Sequence, residues 1–152
     1  MNKLLQFKSN LKGLFDLSKK IANITKQDDL FFLKGELGSG KTTFAKAFIH
    51  SLFELEKTKP PQSIKSPSFP IVLSYPLKNY VIYHYDFYRI KKKKELYEIG
   101  FFEDKVNNIS IVEWPNIILN NNEFSNYFLI EFDIIDLNNR LIKIFHSNRK
   151  KI

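Results

Sequence analysis

Apolar positions along this chain change period several times, and each change marks a boundary between elements. Residues 3–8 alternate weakly and predict an edge strand. Ser9 or Asn10 then offers a side-chain cap. Leu11, Leu14, Phe15, Ile21 and Ala22 recur on one face of a helix over 10–23. Asp28 to Lys34 contains Leu30-Phe31-Phe32-Leu33, apolar without alternation, as a central parallel strand covered on both faces requires. Phe44, Ala45, Phe48, Ile49, Leu52 and Phe53 return to helical spacing and predict a helix ending near residue 55. Residues 56–68 set Pro60, Pro61 and Pro67 among polar side chains and read as a surface loop.

Strands are predicted from Phe69 to Tyr75 and from Tyr80 to Asp86, joined by the turn Pro76-Leu77-Lys78-Asn79. A short helix over Lys92 to Ile99 stops at Gly100. Asn108 to Glu113 is a strand running into Trp114-Pro115. Tyr127 to Asp133 and Leu141 to His146 are strands around the turn Asp136-Leu137-Asn138-Asn139, and Asn120-Asn121-Asn122 reads as a loop. No internal repeat is visible. Helix and strand in this order predict a three-layer α/β core with a mixed sheet, part of it antiparallel. Periodicity does not yield the strand order.

The junction between the first buried strand and the helix after it carries the chemistry. Gly35-Glu36-Leu37-Gly38-Ser39-Gly40-Lys41-Thr42 fits the phosphate-binding pattern G-x-x-x-x-G-K-[ST], and it stands between a strand and a helix as that pattern requires. Glycine lets backbone N–H groups close on phosphate oxygens with no Cβ in the way. The helix adds its free N-terminal amides and dipole. Gly38, Ser39, Gly40, Lys41, Thr42 and Thr43 are the expected phosphate contacts. Lys41 is expected to reach the β- and γ-phosphates, and the Thr42 hydroxyl to face Mg²⁺. The implied ligand is a nucleoside triphosphate with Mg²⁺, which the family resemblance given below narrows to ATP or ADP, and the loop over 56–68 stands where such proteins often place a mobile, nucleotide-sensing segment.

Such a loop needs a carboxylate near the metal, usually at the end of a buried strand. Asp86 and Glu113 each end an apolar strand, and the pattern leaves the choice between them open. Arg89, three residues after Asp86, suits either charge neutralisation at a γ-phosphate or a structural ion pair. His84 reads as a packed or hydrogen-bonded histidine. Tyr83, Tyr85, Phe87 and Tyr88 read as core and rim, and Trp114 either walls the site or packs.

Composition narrows the picture further. At 152 residues, with 43% hydrophobic and 15% aromatic residues, the chain is expected to form one domain over 1–152. It holds no cysteine, which excludes disulfides and thiolate metal sites and fits a reducing cytoplasm. The N-terminus lacks the apolar run of a signal peptide, and no stretch approaches a membrane span. The net charge of +8 invites a nucleic-acid reading. Yet Arg89, Arg140 and Arg149 are the only arginines among 24 basic residues, whereas readers of phosphate and bases favour arginine's bidentate fork. The run Lys91-Lys92-Lys93-Lys94 reads as a solvated helix start.

Taken in order, the glycine loop with Thr43-Phe44, then Lys65-Ser66-Pro67-Ser68-Phe69, His84-Tyr85-Asp86-Phe87-Tyr88-Arg89, Glu95 with Gly100, Val112-Glu113-Trp114-Pro115 and Arg140 resemble the bacterial TsaE family, over about residues 10 to 146. The resemblance implies a three-layer P-loop NTPase sandwich and a slow Mg-dependent ATPase. It also implies work beside TsaB and TsaD partners that place threonylcarbamoyl on an adenosine next to the tRNA anticodon. It implies Glu113 as the magnesium-side acid, Asp86 as essential to the ATPase cycle, Lys41 and Thr42 in the loop roles above, and Ser66 to Phe69 as a nucleotide-responsive segment. The chain departs from the family's usual residues at Ser39, Ser68 and Phe87, and at Leu14, where members often carry a threonine near the nucleotide. Two other readings compete: a small-molecule kinase on the same loop, and a tRNA-binding module with a vestigial nucleotide site.

Overall fold

A computed structural model of the chain describes residues 1–120 and 124–147. Asn121, Asn122 and Arg149 lie outside these described residues. The elements are β1 (Asn2–Ser9), α1 (Leu11–Ile24), β2 (Leu30–Gly35), α2 (Lys41–Leu55), β3 (Val72–Pro76), β4 (Val81–Asp86), α3 (Lys93–Glu98), α4 (Phe101–Asp104), β5 (Ile109–Glu113), α5 (Asn116–Leu119), β6 (Phe128–Ile134) and β7 (Arg140–His146).

The seven strands form one sheet in the order β1-β7-β6-β2-β5-β4-β3. β6, β2, β5 and β4 run parallel, and β3, β7 and β1 extend the sheet antiparallel on its two sides. The alternation of a strand sends neighbouring side chains to opposite faces. Phe31 and Leu33 of β2 therefore join the core beneath α1 and α2. Leu30 and Phe32 join the core beneath the α3, α4 and α5 side. Both faces are covered, so β2 and β5 are buried along nearly their whole length, which is why neither shows polar alternation. The result is a three-layer α/β sandwich on a mixed sheet. No helix among the described residues is long and apolar enough to cross a membrane.

Several sequence expectations meet corrections here. Asn10, not Ser9, caps α1, its Oδ1 accepting from the Gly13 amide at 2.9 Å. The buried stripe of α1 is Leu14, Leu17, Ser18, Ile21 and Ala22, while Leu11 and Phe15 are exposed. Leu11 stands in the first turn, and Phe15 falls about a quarter-turn off the stripe. β3 begins at Val72 and not at Phe69. Pro70 has no N–H to give a ladder, and Ile71 takes φ 69°, so extended backbone starts only after them. The lysine run is indeed a helix start: the Glu95 carboxylate accepts from the Lys91 and Lys92 amides at 2.9 and 2.6 Å, which holds its pKa below the usual range. α4 and α5 span four residues each, too short for periodicity to register. Tyr85 and Phe87 pack with Phe101 as core, and the Tyr85 hydroxyl donates to Asp104 at 3.2 Å.

Phe48 of α2 seats that helix on the sheet, its ring 4.9 Å from Phe31 and 5.8 Å from Phe44. Phe48→Ala is expected to cost about 3–5 kcal/mol, read as a lower urea midpoint at unchanged slope.

Candidate functional site

The parallel strands deliver their C-terminal ends to one edge of the sheet. There β2 turns into the glycine loop, and Glu113 of β5 lies in register between Leu33 of β2 and Asp86 of β4. Strand alternation then aims the chemistry. Ile82 and Ile109 face the α1 and α2 layer, so His84 and Asp86 on β4, and Ile111 and Glu113 on β5, face it as well.

The loop needs its glycines for different reasons. A Cβ on Gly35 would lie 2.5 Å from Ser39 Oγ and 2.7 Å from the Phe132 carbonyl. Gly38 and Gly40 take φ of 75° and 108°, which L side chains rarely adopt. Gly40 is also the residue before α2, and it brings no side chain to cap the helix, so the first amides of α2 open into the cleft.

Lys41 is 4% exposed. Its ammonium donates to the Gly35 and Glu36 carbonyls at 2.7 and 2.8 Å and lies 4.1 Å from the centre of the Trp114 ring. Desolvation pushes its pKa down, and the carboxylates of Glu113 and Asp86 oppose that fall. Trp114 adopts φ 57° and meets Tyr88 edge-on at 4.9 Å, so the ring walls the site as well as packing.

Glu113, 2% exposed, accepts from Thr42 Oγ1 at 2.9 Å through Oε2 and meets His84 Nε2 at 2.8 Å through Oε1. Asp86, 6% exposed, accepts from Ser68 Oγ and from the Tyr88 amide, both at 2.9 Å. Ser66 and Ser68 share a hydrogen bond of 2.9 Å. The two acids expected from the sequence thus stand side by side, with Glu113 joined to Thr42 and Asp86 joined to the 66–69 segment. Arg89 also holds that segment, donating to the Ser68 carbonyl at 2.7 Å and to the Phe69 carbonyl, with its guanidinium 5.5 Å from the Phe69 ring. These contacts are to backbone carbonyls and a ring, not the ion pair with an acid that the sequence also allowed.

Arg140 is the residue whose role sequence reasoning missed. Nε and one terminal nitrogen donate to the Ser39 and Gly38 carbonyls at 3.0 and 3.1 Å, and the other terminal nitrogen donates to the Asp136 and Asn139 carbonyls. One side chain therefore ties the β6–β7 turn to the glycine loop. The available signal was the scarcity of arginine, which singled the residue out without naming its partner.

Lys41, Thr42, Asp86, Glu113, Trp114 and Arg140 border a cleft of about 570 Å³. Thr43 lies on it, as do Asn10, Leu11 and Leu14 on one wall and Leu137 and Asn138 on another. Leu14 closes over Gly40, its Cδ2 3.5 Å from where a Cβ would stand.

The donor set fits magnesium. No cluster of three or more His, Cys, Asp or Glu suited to a metal occurs among the described residues. One hydroxyl and one or two carboxylates are hard oxygen donors, and they suit a cation that takes its remaining ligands from phosphate and water.

Strand, glycine turn and helix, with paired acids at the adjoining strand ends, define a P-loop protein of the α/β class. The chain belongs to the TsaE family: the sequence model of that family, described as threonylcarbamoyl adenosine biosynthesis protein TsaE, matches residues 9–142. A Rickettsia conorii protein named tRNA threonylcarbamoyladenosine biosynthesis protein TsaE is 38% identical over 136 residues, covering 88% of this chain and 73% of its own. The Aquifex aeolicus protein of the same name is 30% identical over 133 residues, covering 88% and 89%. The crystal structure of Bacillus subtilis YdiB shares the fold, with a TM-score of 0.69 over 95% of this chain and 86% of that one at 23% identity.

Ser68→Ala removes the tie between the 66–69 segment and Asp86. Amides in that segment are expected to exchange with solvent about fivefold faster by mass spectrometry, the effect of losing about 1 kcal/mol.

Proposed function

We propose that this chain, as one domain over residues 1–152, binds ATP and ADP with Mg²⁺ in the cleft and hydrolyses ATP slowly. In this reading it serves in the cytoplasm as the accessory ATPase of tRNA threonylcarbamoyladenosine formation, beside TsaB-like and TsaD-like partners. Those partners carry out the transfer and meet the tRNA. The observation that carries the reading is the 2.9 Å bond from Thr42 to buried Glu113 at the mouth of α2, with Asp86 alongside. A helix start, a desolvated lysine and an acid pair converge there as triphosphate chemistry requires.

The residues divide the work. Loop and α2 amides hold the phosphate oxygens. Lys41 exchanges its carbonyl partners for the β- and γ-phosphates. Thr42 and Glu113 would hold Mg²⁺, which supplies neutralisation of charge on the phosphates. Asp86 accepts a hydrogen bond from the attacking water and passes its state to the 66–69 segment through Ser68. Leu11 and Leu137, both exposed at the cleft, offer apolar surface to a base. A kinase reading would call for an arginine-bearing lid, but among the described residues the arginines, Arg89 and Arg140, are both committed to backbone carbonyls.

Lys41→Ala is expected to weaken ATP binding about 10- to 100-fold by calorimetry, the loss of one or two charge-assisted hydrogen bonds. Unchanged affinity would remove the site from consideration. Glu113→Ala is expected to lower turnover about 100-fold while ADP affinity in EDTA stays near wild type. Adding the two partner proteins is expected to raise ATP turnover. Phosphate appearing on a metabolite would instead favour the kinase.

A further inference from the structure

One buried polar side chain has no task in the proposed cycle. His84 lies in the middle of β4, 0% exposed, with Leu73 of β3 and Ile111 of β5 as its register neighbours. Its Nε2 stands 2.8 Å from Glu113 Oε1, while Nδ1 is buried without a hydrogen-bond partner among the described residues. Burying an imidazole with one nitrogen unsatisfied is costly, and an apolar side chain at the same place would avoid that cost. The ring therefore fits this position through what Nε2 does.

An ionised carboxylate only accepts hydrogen bonds, so the hydrogen between the two groups belongs to Nε2. The terminal torsion of a glutamate is broad and held only weakly by its own rotamer preference. Here two contacts from two different elements grip it, Thr42 from α2 on Oε2 and His84 from β4 on Oε1. The Thr42 hydroxyl is the group that would be shared with a cation. The His84 contact, enclosed in the sheet, is not shared.

We infer that His84 is a positioning residue for the metal side of the site: its Nε2–H holds Glu113 Oε1 and sets the plane in which the carboxylate and Thr42 meet the cation. This role rests on the nucleotide reading above. It goes beyond packing because the chemistry of one ring atom, rather than the volume of the ring, performs it.

The test compares His84→Leu, which fills space without a donor, with His84→Gln, whose amide can present an N–H near the Nε2 position. ADP affinity is measured by calorimetry with Mg²⁺ and with EDTA, and Mn²⁺ binding to the ADP complex by electron paramagnetic resonance. His84→Leu is expected to keep ADP affinity in EDTA within about twofold and to weaken Mn²⁺ binding about tenfold or more, with His84→Gln recovering most of that loss. Wild-type Mn²⁺ binding in the leucine variant, or equal loss in both variants, overturns the inference and leaves the nucleotide reading standing. No ADP binding by the wild-type chain overturns both. If the leucine variant does not fold, the ring of the wild-type protein decides: long-range ¹H–¹⁵N spectra showing hydrogen on Nε2 support the inference, and an Nε2 without hydrogen overturns it.

Discussion

Glu113 is a carboxylate taken out of water at the end of a buried strand, and the site is arranged around that constraint. A buried charge needs donors held at fixed distance. Here they come from two elements, the Thr42 hydroxyl on α2 and the His84 ring on β4. Both can arrive only if α2 is seated by Phe44, Phe48 and Ile49 against the sheet and if β4 and β5 are parallel and in register. Core packing and the polar site are therefore one arrangement. A shift of α2 by a fraction of a turn would leave Glu113 without its helix donor.

The loop beside it answers the opposite problem. Lys41 is a buried cation, and desolvation lowers its pKa for that reason. Loop carbonyls, the face of Trp114 and the nearby carboxylates compensate in part. Arg140 braces the same loop from the β6–β7 turn by donating to the Gly38 and Ser39 carbonyls. The crown of the loop is thus held from the turn that follows the neighbouring strand β6.

The 66–69 segment is tied in a different manner. Ser68 reaches Asp86 and Arg89 reaches the segment's carbonyls, while Phe69 stands 90% exposed. Polar contacts, one of them to an acid of the site, hold it together with buried Pro67, while its other three residues are exposed. Two features of this region are not encoded in local periodicity. Pro70 and the positive φ of Ile71 delay β3, and periodicity cannot register a turn set by one missing N–H. Arg89, legible as one of three arginines, holds the segment's carbonyls, because partner choice depends on distances that no spacing encodes.

What the amino-acid order determined by itself was local. A glycine pattern with Lys41 and Thr42 between an apolar strand and an amphipathic helix specifies an anion cradle, because backbone sterics and helix amides act over a few residues. Acids at two strand ends were legible for the same reason. Tertiary structure alone decided that β4 and β5 neighbour each other, that Glu113 and not Asp86 meets Thr42, that Arg140 crosses a hundred residues to brace the loop, and that His84 faces Glu113 instead of merely packing. Those outcomes depend on strand order, and strand order follows from how apolar faces are buried together, a property of the whole chain that no single segment carries.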